Sequence, residues 1–303
     1  MAKNPIYVEI PIKSEMDKLW RVTQTPDEHE KWDLRFSSIT YLPKQDDKPQ
    51  LFTYKTNIGF GLAIKGWGKS IGTHDADAKD GSKTSSLHFG TKQKLSLIKE
   101  GRGYWKYNPQ PNGTIQFLTQ YQYSTNWGKV GNLIDLFFRP MMGWATALSF
   151  DVARRWLETG ETPSVQYVRF FSTWLIAILF FIVWTYHGLV PKILFMHPTE
   201  VSMTTGALPI SESQAIWLNY VVGAGEIIIG LSWLFYPKKE HLLKLQLIVF
   251  PLLALSAAIA EPANLIHPFN PLTFNFALVV FSAIGLLVSK DVPTAKNCKR
   301  KPD

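Results

Sequence analysis

The chain has 303 residues, with 32 Lys and Arg against 24 Asp and Glu, and its single cysteine is Cys298. This length allows about two domains, and one cysteine excludes both an intrachain disulfide and a thiolate cluster for zinc or iron–sulfur. The net charge of +8 is spread along the chain without a basic run in the first half, so no nucleic-acid partner is expected. We expect the excess charge to favour solubility and proximity to anionic lipid.

Residues 1 to about 163 alternate between polar and apolar positions, which predicts a soluble α+β domain. A first strand over residues 6–12 precedes two short helices, and Pro26 starts the second of these after the capping hydroxyl of Thr25. The alternation then predicts an antiparallel sheet with one wet face. Its strands are predicted at residues 36–41, 50–57, 62–74, 84–90, 94–107 and 114–127.

A helical period follows over residues 130–159 and predicts one long helix. Apolar side chains recur at spacings of three or four and predict the buried face of this helix. Pro140 should kink the helix or split it in two, and Gly160 and Pro163 end it. The apolar positions are Leu133, Phe137, Met141, Trp144, Leu148, Val152 and Trp156.

One strand, two short helices, an antiparallel sheet and a long C-terminal helix form a helix-grip plan. The sequence Val8-Glu9-Ile10-Pro11-Ile12, followed by Leu19-Trp20, Thr25-Pro26 and Trp32, resembles the START-like or polyketide-cyclase-like (SRPBCC) domain over about residues 4 to 159. The resemblance implies a curved sheet wrapped around the long helix, with a cavity for an apolar or amphipathic ligand. It does not transfer an activity, because this fold serves carriers, sensors and some enzymes.

Aromatic side chains on the predicted strands are candidates for lining that cavity, and ordinary core packing is the alternative. The run Gly66-Trp67-Gly68-Lys69-Ser70 fails the phosphate-loop pattern because Ala63 stands where the first glycine is required, so its glycines predict a bulge or bend in the sheet. No nucleophile–base spacing is present, so we favour a binding protein over an enzyme and assign no catalytic residue. The candidate cavity residues are Trp67, Tyr104, Tyr121, Tyr123 and Trp127.

The second half contains four apolar blocks, at residues 167–190, 215–236, 242–260 and 273–289. Each is close to the roughly 20 residues that a transmembrane helix needs. The predicted fold class is therefore an α+β helix-grip (START-like) soluble domain followed by an all-α four-helix transmembrane bundle. We place the domain boundaries at residues 1–163, 164–290 and 291–303, the last being a basic cytoplasmic tail.

Charges around the spans predict their orientation. Eleven Lys and Arg lie around the start of the first span, between spans two and three, or after span four. The other two loops, between spans one and two and between spans three and four, hold only Lys192. Basic residues are enriched in cytoplasmic loops. We therefore expect a multi-pass protein of the cell membrane with both termini in the cytoplasm.

Ionisable side chains inside the spans are the candidate functional residues of this half. Glu226 lies near the middle of span two, and an ionisable group in hydrocarbon normally faces the bundle interior and has a partner. It could stay protonated, pair with His187 or Lys192, or bind a head group, and the alternative is a buried, neutral, hydrogen-bonded carboxyl that fixes helix register. His187, Glu261 and His267 are the only candidates for a metal site, and we predict none.

The run Trp184-Thr185-Tyr186-His187-Gly188-Leu189-Val190-Pro191-Lys192 resembles the motif that closes the first span of DoxX-like membrane proteins. The helix with Glu226 after Gly223 and Gly225 continues this similarity, which covers roughly residues 168 to 289. The resemblance carries over His187, Lys192, Glu226 and Glu261 as candidates. It implies a link to quinone-coupled oxidoreductases, so a quinone is the one cofactor considered; no flavin, haem or cysteine signature is present.

The favoured hypothesis is capture of an apolar molecule at the membrane, either a lipid, an isoprenoid or a quinone, with the soluble cavity holding it. One alternative is an accessory subunit of a membrane quinone-linked oxidoreductase complex, and another is a membrane scaffold without a ligand. The expected partners are accordingly membrane lipid and an apolar small molecule, with a membrane oxidoreductase or a second copy of the chain as further candidates. The membrane polar site comprises His187, Lys192, Glu226, Glu261 and His267.

Overall fold

The structure is a computed structural model that describes residues 4–45, 48–74, 81–260 and 262–302, without the side chains of residues 73, 74 and 264. The chain forms two compact units, Met1–Gln166 with Pro293–Asp303, and Tyr167–Val292. An antiparallel sheet domain followed by four long apolar helices confirms the predicted fold class. The last residues, predicted as a separate tail, group instead with the first unit.

The first unit is a seven-stranded antiparallel sheet with a long helix, α3, on one face. The strand order is β1-β7-β6-β5-β4-β3-β2, so the first and last strands in sequence are neighbours. The strands are β1 Ile6–Ile12, β2 Ser38–Tyr41, β3 Leu51–Gly59, β4 Leu62–His74, β5 Lys83–Gly90, β6 Ile98–Pro109 and β7 Ile115–Thr125. The helices are α1 Met16–Gln24, α2 Pro26–Trp32 and α3 Gly128–Thr159. Of the loop predicted at 75–83, residues 75–80 lie outside the described residues.

Glycines in β4 allow aromatic rings of the neighbouring strand to lie flat on the inner face of the sheet. Gly66 and Gly68 stand opposite Tyr54 and Phe52 of β3, and a Cβ on either glycine would overlap the opposing ring. The strand also has a bulge after Ser70, and bulges increase the local twist of a sheet. These glycines therefore serve the curvature and packing of the sheet.

Stacked aromatic rings form the core between the sheet and α3. The rings of Phe117 and Phe150 stack with their centroids 4.4 Å apart, and Trp105 packs edge-on against Phe117 at 5.8 Å. Trp32 is fully buried against Phe150, and its indole N–H donates to the carbonyl of Val22. Burying each such side chain contributes about 1.5–3 kcal/mol of hydrophobic stabilisation. Trp32 thus acts as a packing residue of this core.

Helix α3 departs from its prediction in two respects. It continues through Pro140 as a single helix, so the predicted split does not occur. The stripe predicted as its buried face is buried only in the second half, where Leu148 and Val152 have no exposed surface. In the first half, Leu133 is 64% exposed and Phe137 79%. Periodicity identifies an apolar stripe correctly but does not show which element covers it.

The C-terminal segment is held against the second half of α3 by a buried carboxylate. Asp151 accepts hydrogen bonds from the backbone N–H of Thr294 at 2.8 Å and from the side-chain amide of Asn297 at 2.9 Å. It also forms an ion pair with Arg154 at 2.7 Å. Lys299 then exchanges two backbone hydrogen bonds with Glu9, which covers the free edge of β1.

This tail has a topological consequence for the membrane crossings. Residues 293–302 and residues 4–166 belong to one folded unit, and four candidate spans lie between them. Four is an even number of candidate spans, which is compatible with both ends of the chain belonging to one folded unit.

We expect Cys298 to resist maleimide labelling in the native protein. Burial, and then the neighbouring charge of Asp151, raises the pKa of its thiol to about 12, so almost no thiolate is present at pH 7. Asp151→Ala should release the tail and speed labelling several-fold, whereas Asp17→Ala, at an exposed carboxylate, should leave the rate unchanged. Mass spectrometry of the labelled protein measures this. Equally fast labelling of all three proteins would contradict the tail contact.

The second unit contains the four predicted spans, a further α-helix that was not predicted, and a short 3-10 helix at Pro262–Ile266. The long apolar helices are α4 Pro163–His187, α6 Glu212–Phe235, α7 Lys239–Ala260 and α8 Pro271–Val288, and a π-helical turn, Gly188–Leu194, extends α4. The additional helix, α5 Pro198–Ala207, lies in the connection between the first two spans. The bundle core stacks Phe180 on Phe250 and Trp184 on Phe250.

Candidate functional site

The π-helical turn after α4 packs its backbone directly on α6. Proline at position 191 cannot donate a backbone hydrogen bond, which favours a local departure from the α-helix. Gly188 of this turn faces Gly223 of α6, and a Cβ on Gly223 would come within 2.8 Å of the Gly188 carbonyl oxygen. Two glycines at one contact therefore allow the turn to approach α6 closely. This approach brings Lys192 alongside Glu226.

Gly223→Ala should destabilise the second unit by about 1–3 kcal/mol, the usual cost of overpacking. The added methyl group meets backbone, which cannot rotate away, and the Cβ of Lys192 at 3.0 Å. Gly225, on the same helix, has no atom within 4 Å of its Cβ position, so Gly225→Ala is the matched control. Thermal unfolding in detergent compares the two. Equal midpoints for both variants would contradict the close contact.

Lys192 lies between two carboxylates that belong to different elements. Its Nζ is 3.2 Å from Oε2 of Glu226 on α6 and 3.3 Å from Oε2 of Glu200 on α5. Lys192 and Glu226 are buried, with only 8% and 9% of their surface exposed. When all three groups are ionised, the cluster carries one net negative charge. A buried charge within a membrane domain needs a partner of opposite charge, and here Lys192 is the partner of both carboxylates.

Helix α5 brings Glu200 to this cluster. His197 caps the helix by accepting a hydrogen bond from the N–H of Thr199, and Pro198 occupies the first helical position. One turn later, the hydroxyl of Thr204 donates to the side-chain carbonyl of Asn219 on α6 at 2.9 Å. The helix is thus fastened to the bundle at Glu200 and at Thr204.

A pocket of about 1180 Å³ adjoins this cluster in the second unit. Its walls are mainly apolar and come from α4, α7 and α8, with Trp184, Phe250 and Leu278 among them. Its polar side chains include His187, Lys192, Glu200, Asn219, Glu226, His267 and Asn275. An apolar pocket with a few converging polar groups is typical of a ligand site.

The pocket gathers four of the five residues proposed from the sequence for the membrane site. His187 lies half-buried with its ring 5.6 Å from that of Phe274, and His267 is exposed at the edge of the pocket. Glu261 lies outside the described residues. Sequence analysis missed Glu200, although the run His197-Pro198-Thr199-Glu200 has the cap, the proline and the acidic residue of a helix start. Among the described residues, no three His, Cys, Asp or Glu side chains are grouped as a metal site.

The five aromatic residues proposed to line a cavity in the soluble domain are not brought together. Tyr121 and Tyr123 lie buried on the inner face of the sheet, toward α3. Tyr104 lies on the outer face, bonded to Gln120, and Trp67 lies there against His88. Trp127 is exposed at the start of α3.

The two inner tyrosines have protein partners in the structure. The hydroxyls of Tyr121 and Thr146 are 3.0 Å apart, and the Tyr123 hydroxyl donates to Asp135 at 2.6 Å. Burial, followed by the hydrogen bond to Asp135, raises the pKa of Tyr123 above its ordinary value. These contacts support the alternative that was left open, namely core packing.

The first unit also contains a depression of about 520 Å³. Trp67 is one of its lining residues, together with Lys55, Lys65 and Lys92. Lys55 and Lys65 are direct cross-strand neighbours, so this depression is cationic as well as shallow. Of these two sites among the described residues, the pocket of the second unit is the larger.

The fold and this site define a membrane protein in which a START-like domain is joined to a DoxX-like four-helix domain. The model of the DoxX-like family matches residues 181–283, the segment that contributes Trp184 through Leu278 to the pocket. Over 304 residues the chain is 37% identical to "Uncharacterized membrane protein YndG" of Bacillus subtilis (strain 168), and the match covers 99% of each chain. The chain belongs to the same family as that protein.

Solved structures similar to this chain cover about half of it. Human StAR-related lipid transfer protein 5 is 13% identical, with a TM-score of 0.39 over 51% of this chain and 84% of that one. The Zhui aromatase/cyclase from Streptomyces sp. R1128 is 9% identical, with a TM-score of 0.38 over 52% and 98%. The START-like assignment stands on the strand order and helix positions of the first unit.

Proposed function

We propose that the four-helix domain binds an amphipathic, lipid-soluble molecule, with the polar head group at Lys192 and the apolar body between the spans. The observation that carries this proposal is the Lys192 cluster at the wall of a pocket of about 1180 Å³ that is otherwise mainly apolar. A charged side chain at membrane depth costs about 3 kcal/mol on insertion scales. A cluster of three such groups beside an apolar space fits the binding of a polar head group better than helix packing alone.

The chemistry of the cluster limits the head group. Lys192 offers hydrogen-bond donors to a carbonyl, hydroxyl or phosphate oxygen, and the two carboxylates offer acceptors. The pocket exceeds the roughly 300–1,000 Å³ of sites for drug-sized ligands, which suits a molecule with a long apolar chain. Lipids, isoprenoids and quinones share this combination of head and tail.

We further propose that the protein resides in the cell membrane with its START-like domain in the cytoplasm. Eleven basic residues lie in the segments assigned to the cytoplasmic side and one in the loops of the opposite side, which supports this orientation. Helix α4 runs for 25 residues, or about 37 Å, from Pro163 to His187. The pocket lies at the His187 end, so in this orientation the ligand binds in the outer half of the bilayer. An impermeant thiol reagent that labels Ser202→Cys, in helix α5, from outside intact cells would support the orientation.

The binding proposal is tested by extracting lipids from the purified full-length protein and comparing them with those of variants by mass spectrometry. Glu226→Gln and Lys192→Gln should lose a species that is enriched in the wild-type extract. Glu240→Gln is the matched control, because Glu240 is an exposed carboxylate paired with Lys244. The control should retain the species at the wild-type level.

Two outcomes of this comparison would decide against the proposal. One is an extract in which no species is enriched over the surrounding membrane lipid. The other is an enriched species that both pocket variants retain. If the enriched species is a quinone, the result favours the alternative function, an accessory subunit of a membrane quinone-linked oxidoreductase complex, over capture of a lipid.

A further inference from the structure

The first half of α3 exposes an apolar stripe that neither the sheet nor the C-terminal segment covers. Val130, Leu133, Ile134, Phe137, Met141 and Trp144 follow one another at spacings of one, three and four, so they lie on one side of the helix. All six are exposed, Phe137 by 79%. The buried side of the same segment carries Gly131, Asp135 and Gly143.

The contact of the C-terminal segment with α3 ends where this stripe begins. The C-terminal segment binds the helix at Asp151 and Ala147, where Cys298 contacts the carbonyl of Ala147 at 3.2 Å. From Trp144 back to Val130, the apolar side of the helix has no such cover within the described residues. An exposed row of large apolar side chains of this length is characteristic of a surface that meets another apolar phase.

The charge around the stripe indicates which phase this is. Between Gly128 and Trp144 the acidic residue is Asp135, which is buried and paired with Arg139 at 3.0 Å. The exposed charge of the segment is Lys129, and Trp127 at its start is fixed by an indole N–H donated to the carbonyl of Lys94. Lys94 and Lys92 precede it on the adjoining loop. A helix with Trp, Phe and Leu on one side and lysines at its margin matches a membrane interface with anionic lipid.

We propose that this stripe, Val130 to Trp144, lies in the interfacial layer of an anionic lipid bilayer, so that the START-like domain is held on the membrane surface. The same chain carries four candidate spans, so a bilayer is always within reach of the domain and the effective concentration of lipid surface is high. This surface is separate from the pocket between the spans and does not depend on a ligand there.

The test uses the full chain in nanodiscs with a Cys298→Ser background and one introduced cysteine, labelled with an environment-sensitive fluorophore. Phe137→Cys reports on the stripe, and Arg102→Cys, exposed on the outer face of the sheet, is the control. In nanodiscs containing phosphatidylglycerol, the Phe137 label should be blue-shifted and quenched several-fold more by doxyl lipids than the control label. A second pair of variants repeats the comparison. Met141→Cys reports on the stripe, and Lys106→Cys, on the same strand as Arg102, is its control.

Two results would overturn the proposal. One is that the stripe labels are as accessible to water as the control labels in every lipid composition. The other is that they are shielded but not quenched by doxyl lipid, which would indicate that a protein surface, such as a second copy of the chain, covers the stripe. Unchanged circular dichroism and thermal midpoint confirm that each labelled variant is folded.

Discussion

Replacing Lys192 by methionine is expected to destabilise the membrane domain by about 3–5 kcal/mol, because removal of one partner leaves buried charges uncompensated. Glu226 and Glu200 would then face each other without the ammonium that now lies 3.2 and 3.3 Å from them. The same substitution should abolish retention of the bound molecule. Chemical unfolding of the full chain in detergent measures the first effect.

Lys244→Met is the matched control for this prediction. Lys244 forms an ion pair with Glu240 at 2.6 Å, but both side chains are about 60% exposed, so loss of the pair should leave the stability nearly unchanged. Adding Glu226→Gln to Lys192→Met should recover part of the stability, because it removes one of the two unpaired carboxylates. Equal stability of Lys192→Met and Lys244→Met would contradict the buried cluster.

Asp33→Asn is expected to destabilise the START-like domain by about 3–5 kcal/mol at pH 7, again through an unpaired buried charge. Asp33 is fully enclosed and accepts hydrogen bonds from Nε and Nη2 of Arg35 at 2.8 and 2.6 Å. Burial by itself would raise the pKa of Asp33, but the guanidinium of Arg35 and the ring of His29 hold it well below its ordinary value. The domain therefore depends on the ionised form of Asp33.

The pH dependence of this effect follows from the lowered pKa. A carboxyl with a lower pKa in the folded state than in the unfolded state stabilises fully above the unfolded value of 3.8, and the stabilisation is lost as the pH falls toward the folded value. The difference between wild type and Asp33→Asn should thus be constant from pH 7 to pH 5 and shrink below pH 4. Asp17→Asn, at an exposed carboxylate, should differ little from wild type throughout. A difference at Asp33 that stays constant down to pH 2 would contradict the ion pair.

The membrane site could be predicted in part because ionisable residues in apolar segments are rare. Glu226 was selected on that ground. His187 and Lys192 were selected through the DoxX-like motif and His267 as a polar residue near the outer end of a span, and all four contribute to one pocket. Their geometry depends on the π-helical turn at Pro191 and on the contact of Gly188 with Gly223, which no periodicity indicates. Glu200 was missed because helix α5 is only ten residues long and has no apolar period.

The face of the sheet on which Trp67 lies could not be predicted, because glycine inverts the usual alternation of the strand. In β4 the inner positions are Gly66 and Gly68, so the large side chain between them, Trp67, points to the outer face. A pattern that assigns large apolar residues to the inside therefore selects the wrong face here. In β7, where Phe117 and Tyr121 occupy the inner positions, the same rule predicts the strand correctly.

The stripe on α3 shows a second limit of sequence analysis. Phe137 and Val152 belong to one continuous period, yet Phe137 is exposed and Val152 is buried. The second half of the helix is contacted by the C-terminal segment, which returns from the far end of the sequence to bind Asp151. A contact between residues 151 and 294 leaves no trace in local periodicity.

The most direct test of the account is an experimental structure of the full chain in nanodiscs made from its native membrane lipid. We predict density for a bound molecule in the pocket, with a polar atom within hydrogen-bond distance of Lys192 Nζ and an apolar chain beside Trp184 and Phe250. A pocket closed by side chains, or a ligand held instead inside the sheet of the START-like domain, would contradict it.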